Sequence, residues 1–352
     1  MRILFLYAEV TGYLMACLQS LQRHPEVSAV AVYQGLSLPE NDYQLVDSDV
    51  DLRDATHQSA AELWPAVAEF KPDVVFVSGW MFRKYHILAK KLRKTGATLV
   101  IGNDTPWYGS LRQWAGAISS PWWITNTYQY MWVPGISQYE FARRLGFPKK
   151  RIATGLLSAD ADAFSGIRPK APKPVKTLLA VGSFLPNKGM HRLYQAFSKL
   201  LEEGLTGWDL HLVGSGPLYD SLTPTAQIRL THFQQPGMIP ELYRQADAFA
   251  LASLKESWGV VIHEAACAGL PLLVTQTAGA TADLVHNGYN GFVFDPHQEA
   301  DLLQAMRTML SQPEETLRRM GERSKQLSQI QHPDLWAQRL VTMRLEHLKT
   351  NP

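Results

Sequence analysis

The run KESWGVVIHEAACAGLP, residues 255–271, carries two carboxylates, Glu256 and Glu264, eight positions apart. A pair that cuts a glycosidic bond needs carboxyl groups roughly 5–9.5 Å apart on opposite sides of that bond. Two acids on one helix at this spacing stand about 12 Å apart along the axis. The expected arrangement therefore puts Glu256 in a loop and Glu264 inside the following helix, both facing one ligand from its side. Carboxylates so placed accept hydrogen bonds from the hydroxyls of a diol. Spacing alone equally admits an unrelated loop acid followed by a helix-face acid. A second candidate is GSFLPNKG, residues 182–189. It leaves an apolar strand and enters a helix. Backbone N–H groups at that helix start, with the ammonium of Lys188, would hold an anion. The alternative is a plain strand-to-helix turn with an exposed lysine.

Other motifs drop out on inspection. A calcium loop starting at Asp47 would need glycine at its sixth position and glutamate at its twelfth, where Leu52 and Gln58 stand. Asp49-Val50-Asp51 and Asp160-Ala161-Asp162 match a short metal-binding pattern that three residues meet easily by chance. VGSGPLY, residues 213–219, lacks the third glycine of a dinucleotide fingerprint, and GSFLPNKG lacks the glycine that a P-loop places immediately before its lysine, where Asn187 stands. No nucleophile elbow is present.

The elements that must position these residues follow from periodicity. RILFLY, SAVAVY, PDVVFVSGW, TLVIGND and MWVPG read as buried strands alternating with helical segments. FSGIRPKAPKPVK (164–176) has three prolines and four basic residues without a period, and reads as a linker. The rhythm then restarts with TLLAVGSF, WDLHLVGSGP, TAQIRLTHF, DAFALAS, PLLVTQTAG and GFVFDP. Alternating strands and helices imply parallel sheets covered on both faces. The expected fold class is α/β with two Rossmann-like, doubly wound domains, residues 1–165 and 174–330. The tail 333–352 is expected as a helix packing back on the first domain, with a stripe of Trp336, Leu340 and Met343 widened by Val341, Leu345 and Leu348. In such sheets ligands sit beyond the strand carboxyl ends, so a cleft between the domains is expected to hold the chemistry.

Composition narrows the class. The 352 residues are 46% hydrophobic and 19% charged, with a formal net charge of +2. That is a globular chain, without the basic stripe of a nucleic-acid binder. Two cysteines in unrelated contexts offer neither a disulfide framework nor a metal set and fit a reducing cytoplasm. The apolar start MRILFLYAEVTG is too short, and carries a glutamate, for a secretory signal.

VGSFLPNKG, LHLVGSGPL and ELYRQADAFALASLKESWGVVIHEAACAGLPLLVTQTAGATADLVHNGYNGFVF, in this order, resemble the retaining glycosyltransferases of family 4 (glycosyl transferases group 1), which have the GT-B fold. The resemblance is specific over 241–294 and loose in the first domain. It implies a metal-independent, retaining transfer of a sugar from a nucleoside diphosphate sugar, UDP or GDP based, to an acceptor hydroxyl. The acceptor would be a saccharide, a lipid-linked glycan or a small molecule, in cell-envelope or exopolysaccharide synthesis. No cofactor and no nucleic acid are implied; oligomeric state stays open.

By this resemblance Glu256 faces the donor sugar, joined by the backbone N–H groups of Ser257, Trp258 and Gly259. Glu264 holds the ribose hydroxyls, Lys188 the diphosphate, and Gly12 lies close to that diphosphate. The base stacks near Gly237 and Met238. Proton removal is assisted by the leaving phosphate, with Asp104 as a secondary candidate. Ser183 stands where the family has arginine, with Arg192 one turn past Lys188 as a substitute cation. Asn103-Asp104 replaces the usual His-Asp, and LLSAD replaces the asparagine-glycine turn near the crossover. These departures keep two alternatives open: a GT-B nucleotide-sugar epimerase and a catalytically impaired sugar-nucleotide binder.

Six of the ten tryptophans, at 80, 107, 114, 122, 123 and 132, fall in the first domain between residues 80 and 132. Three readings stand: core packing, stacking on an acceptor ring near Asn103, Trp107 and Tyr108, or a patch facing a membrane surface. The last extends the expected cytoplasmic location to the inner face of a membrane.

Overall fold

The structure, a computed structural model, describes residues 1–36, 49–165 and 173–350. Asp47 and Ser48 of the calcium-like run, and most of the proline-rich linker, lie outside the described residues. The chain divides into two compact units, Met1–Ser158 with Gln331–Pro352, and Ala159–Ile330.

The first unit is built on a parallel sheet of β1 (Arg2–Tyr7), β2 (Ala29–Gln34), β3 (Asp51–Asp54), β4 (Val74–Val77), β5 (Thr98–Gly102), β6 (Tyr130–Trp132) and β7 (Ile152–Ala153), in spatial order β3-β2-β1-β4-β5-β6-β7. Its helices are α1 (Gly12–Arg23), α2 (Ala60–Phe70), α3 (Arg83–Arg93), α4 (Leu111–Trp123) and α5 (Ile136–Arg144). The second unit has β8 (Lys176–Val181), β9 (Trp208–Val213), β10 (Ile228–Thr231), β11 (Ala248–Leu251), β12 (Leu272–Thr275) and β13 (Gly291–Phe294), in spatial order β10-β9-β8-β11-β12-β13. Its helices are α6 (Ala161–Ser165), α7 (Met190–Glu202), α8 (Ile239–Gln245), α9 (Val260–Cys267), α10 (Gly279–Leu284), α11 (Glu299–Leu310) and α12 (Glu314–Ser328); α13 (Pro333–Thr350) then belongs to the first unit. Every recorded strand pair is parallel. The central strands are continuous apolar runs, as burial on both faces requires: all four residues of β4, β11 and β12 are buried.

The units depart from the sequence reading in five places. The division falls after Ser158, ahead of the expected end at residue 165, because α6 packs with α8 and α9 of the second unit. Phe164 meets the edge of Tyr243 there, ring centroids 5.2 Å apart. Strand β3, DLRD, has four exposed residues and so shows no apolar pattern. The helix α4 was not expected from its tryptophan-, glycine- and proline-containing sequence, and α11 and α12 lie in a stretch to which the periodicity assigned no element. In the tail, Trp336, Leu340, Val341 and Met343 are buried, but Leu345 and Leu348 are exposed.

The tail helix is bound tightly to the first sheet. Trp336 is fully buried, stacks on Phe5 at 5.9 Å and meets Trp132 at 4.8 Å. Its indole N–H donates to the carbonyl of Leu156 at 2.7 Å. Asp334 accepts from Ser20 of α1 at 2.5 Å, and Arg344 donates to Thr98 Oγ1 at 3.1 Å. Deleting a buried indole costs its transfer free energy and leaves a cavity. Trp336→Ala should lower the stability of the first unit by about 3–5 kcal/mol, read from amide exchange of that unit in urea. A loss under about 1 kcal/mol would show that the tail does not hold this sheet.

Candidate active site

Strand β8 lies between β9 and β11, so the connections leaving β8 and β11 diverge from a topological switch point. Ligands of open α/β sheets bind at such points. The loop after β8 contains Lys188 and the loop after β11 contains Glu256. The two loops are locked together. Leu254 N–H donates to the carbonyl of Asn187 at 2.8 Å. Gly189 adopts φ +71°, and a Cβ there would lie 2.0 Å from the carbonyl oxygen of Ala252. Only glycine permits both the left-handed backbone and that approach.

This lock brings Lys188 Nζ to 2.6 Å from Glu256 Oε2, with both side chains partly open to solvent. Ser253 Oγ donates to the same carboxylate oxygen at 3.2 Å. The Glu256 loop is braced from beyond β12. Thr277 Oγ1 donates to the Ser253 carbonyl at 2.8 Å, and Ala280 N–H donates to the Trp258 carbonyl at 2.9 Å. Glu256 also forms a parallel bridge with Ala278. Gly259, at φ +92°, turns the chain into α9 and lies against the Glu256 side chain. Trp258 is buried, and its indole N–H has no hydrogen-bond partner among the described residues. Ser257 lies between Glu256 and Trp258 in the same loop.

Glu264 sits inside α9, so the two acids occupy a loop and a helix. Burial pushes its carboxyl up to about 7; the hydrogen bond from Tyr243 OH, 2.9 Å, opposes that shift, and the charge of Asp160 adds to it. Burial also raises the Tyr243 phenol, which therefore remains a donor. Next to Glu264, the buried His263 accepts from Ala159 N–H at 2.8 Å through Nδ1 and reaches the Ser328 carbonyl at 3.0 Å through Nε2. Tyr243, Ser253 and Gly189 were not anticipated as site residues. Tyr243 lies 21 positions before its partner, and no periodicity links them.

Ser183 is half-buried in the loop after β8, two positions past that strand. Arg192, one turn past Lys188, donates from Nη1 to the carbonyl of Pro296. Met238 is exposed, on the short turn Pro236–Met238 that leads into α8. Of the aspartates in the two short metal-like patterns, Asp51 is paired to Arg53 and Asp160 accepts from Ala163 N–H.

Within the first unit, the sheet order reverses between β1 and β4. Gly12 opens α1 after β1, and Ala8 N–H donates to Ser78 Oγ after β4 at 2.8 Å. Asn103, after β5, is buried, and its amide closes a turn by donating to the Thr105 carbonyl at 3.0 Å. Asp104 beside it is exposed to solvent, yet desolvation by the surrounding protein pushes its carboxyl above the ordinary range. Trp107 packs on Phe141 at 5.5 Å and lies under the guanidinium of Arg144. Tyr108 is exposed.

Residues 166–327 match the family model described as glycosyl transferases group 1. The glycogen synthase of Mycobacterium tuberculosis is 28% identical over 267 residues, 71% of this chain and 63% of that protein. The chain thus spans less than two thirds of that relative's length. Two solved structures share the fold over their whole length. HepE of Anabaena, in complex with UDP and glucose, has a TM-score of 0.70 and 17% identity and covers 99% of both chains. The sucrose-phosphate synthase of Thermosynechococcus elongatus has a TM-score of 0.76 and 13% identity and covers 100% of both. The fold is GT-B.

The raised carboxyl of Glu264 has a definite sign for stability. Its folded value, about 7, exceeds its ordinary 4.5, so the unfolded chain ionises first. Glu264 therefore stabilises least above pH 7: its ionisation erodes stability from about pH 4.5 upward, by at most about 3 kcal/mol. Glu264→Gln should gain stability relative to the parent as pH rises from about 4 to 8. Urea unfolding across that range checks this; a difference independent of pH would refute the assignment.

Proposed function

We propose that this chain is a retaining, metal-independent glycosyltransferase, moving a sugar from a nucleoside diphosphate sugar to an acceptor hydroxyl. The observation that carries the reading is the Lys188–Glu256 pair at 2.6 Å at the switch point of a GT-B unit. A cation and a sugar-gripping carboxylate held side by side suit a ligand with a diphosphate next to a hexose. UDP or GDP is the expected nucleotide. HepE, which shares the fold, was solved with UDP and glucose, so UDP-glucose is the first donor to test.

In this reading Lys188 exchanges its partner when donor binds. Its ammonium moves from the Glu256 carboxylate to the diphosphate and neutralises the charge that grows as the glycosidic C–O bond breaks. Glu256, still bonded to Ser253, accepts from hydroxyls of the sugar. The N–H groups of Ser257, Trp258 and Gly259, at the start of α9, add further donors to the same ring. Glu264, aligned by Tyr243, accepts from the ribose diol; two such donors favour its carboxylate form. The acceptor hydroxyl bonds to the anomeric carbon on the face the diphosphate leaves, and its proton passes to a departing phosphate oxygen. Asp104, with its raised carboxyl, is the secondary proton acceptor. Gly12, Asn103, Trp107 and Tyr108 are the positions to examine for acceptor contacts, and Ser183 and Met238 for the donor. A lysine at the phosphate supplies the charge that a divalent ion would otherwise provide.

The test is release of nucleoside diphosphate from labelled donor over an acceptor panel. Lys188→Ala and Glu256→Gln should each lower kcat/KM by about 10²- to 10³-fold while donor still raises the melting temperature of the parent. Chelation with EDTA should leave turnover unchanged. Full activity in both variants would overturn the site, loss of activity on chelation would overturn the metal-free mechanism, and an epimerised free sugar from donor alone would return the epimerase reading.

A further inference from the structure

Helix α4 presents apolar side chains to solvent. Leu111 is 89% exposed, Trp114 47%, Ile118 67% and Trp122 72%. At about 100° per residue these four positions fall within an arc of about 80°. The opposite side of the helix carries its buried residues, Gln113 and Ser120. The helix is not loosely attached. Ser110 caps it, Gln113 Nε2 donates to the Pro106 carbonyl at 2.7 Å, and Trp123 packs edge-on to Trp80 and His86 at 6.1 and 6.0 Å. The apolar stripe is thus a fixed outer face, built the wrong way round for a helix of a freely soluble surface.

The charge around it is one-sided. Residues 80–126 contain seven lysines and arginines and a single acid, Asp104, a net of +6 in a chain of net +2. α4 itself has no acid, and Arg112 flanks its first turn. The neighbouring α3 ends in Lys90, Lys91 and Arg93, and Arg93 is bonded to the carbonyl of Asn126 just past α4. At the other end, Arg144 lies 5.5 Å over the ring of Trp114, and Glu140 pairs with that arginine.

We propose that α4, with the basic end of α3 beside it, docks the protein on an anionic lipid bilayer. Leu111, Ile118 and Trp122 enter the headgroup–acyl boundary, and Arg112, Lys90 and Lys94 face the lipid phosphates, whereas Lys84 is held by the Ala55 and Thr56 carbonyls and Lys91 by the Trp64 ring. An in-plane helix with an apolar face and a cationic surround is the form such binding takes, and tryptophan favours that boundary. A second copy of the chain fits poorly, since it would bring an equally cationic face to the contact. A saccharide fits poorly on Leu111 and Ile118, which offer no hydrogen bond. No helix among the described residues is long and apolar enough to cross a membrane, so the attachment would be peripheral. The inference does not rest on the donor chemistry proposed above, because binding is read without any sugar transfer.

The test is co-sedimentation of the full chain with vesicles of phosphatidylglycerol and phosphatidylcholine, or of phosphatidylcholine alone. The mixed vesicles should bind at least about tenfold more tightly, with the tryptophan emission shifting to the blue, and about 0.5 M NaCl should weaken that binding. Two variants separate the contributions: Ile118→Gln with Trp122→Gln removes the stripe, and Lys90→Glu with Lys94→Glu removes charge without touching it. Each should cut binding at least about tenfold with the melting temperature retained. Equal binding to both vesicle types, or parental binding by the stripe variant, would overturn the proposal. So would a dimer in solution that the stripe variant dissolves while vesicle binding stays absent throughout.

Discussion

The close approach of Gly189 to the Ala252 carbonyl fixes the geometry on which the rest of the second unit's chemistry depends. Parallel strands β8 and β11 are neighbours, but their following connections run apart, and nothing in a parallel ladder holds those connections together. A missing side chain at 189, and the Leu254–Asn187 hydrogen bond beside it, close that gap with backbone alone. The lysine one residue before the glycine and the glutamate two residues after Leu254 then have little choice but to meet. Because backbone rather than side chains sets the distance, Lys188 can exchange its partner without the loops coming apart.

The two acids of KESWGVVIHE end in opposite electrostatic conditions. Glu256 is bonded to an ammonium and a hydroxyl and stands partly in solvent. Glu264 accepts from the phenol of Tyr243 and has a second acid near it, and burial raises it to about 7. One carboxylate is compensated in advance, while the other still has capacity for donors. That difference, more than their spacing, separates them as groups of unlike task.

Much of this was legible in the sequence. The strands that are buried on both faces appear as unbroken apolar runs, and the position of Glu256 in a loop and Glu264 in a helix follows from Gly259 and the alanine-rich stretch after it. Features whose cause is long-range were not legible. Tyr243 meets Glu264 only because α8 and α9 pack over the same sheet. Strand β3 has no buried residue to mark it, and α4 turns its apolar residues outward, so the usual inside pattern is inverted there. The tryptophans between 80 and 132 looked like one cluster, yet they divide: Trp132 is core, Trp80, Trp107 and Trp123 are packed against the core from outside, and Trp114 and Trp122 are exposed. Composition could count them, but only the sheet order could sort them.

The first unit is interrupted, and this has a consequence for how the chain is made. Its sheet is complete by Ala153, but its last helix, with Trp336 against Phe5 and Trp132, is not synthesised until the whole second unit has been. The second unit begins at Ala159 and ends at Ile330, and His263 ties Ala159 to Ser328, so its own entry and exit are fastened to one helix. On the ribosome the later unit can therefore close first, while the earlier one waits with an apolar face uncovered. A domain that begins first and finishes last spends the longest time in need of chaperone cover.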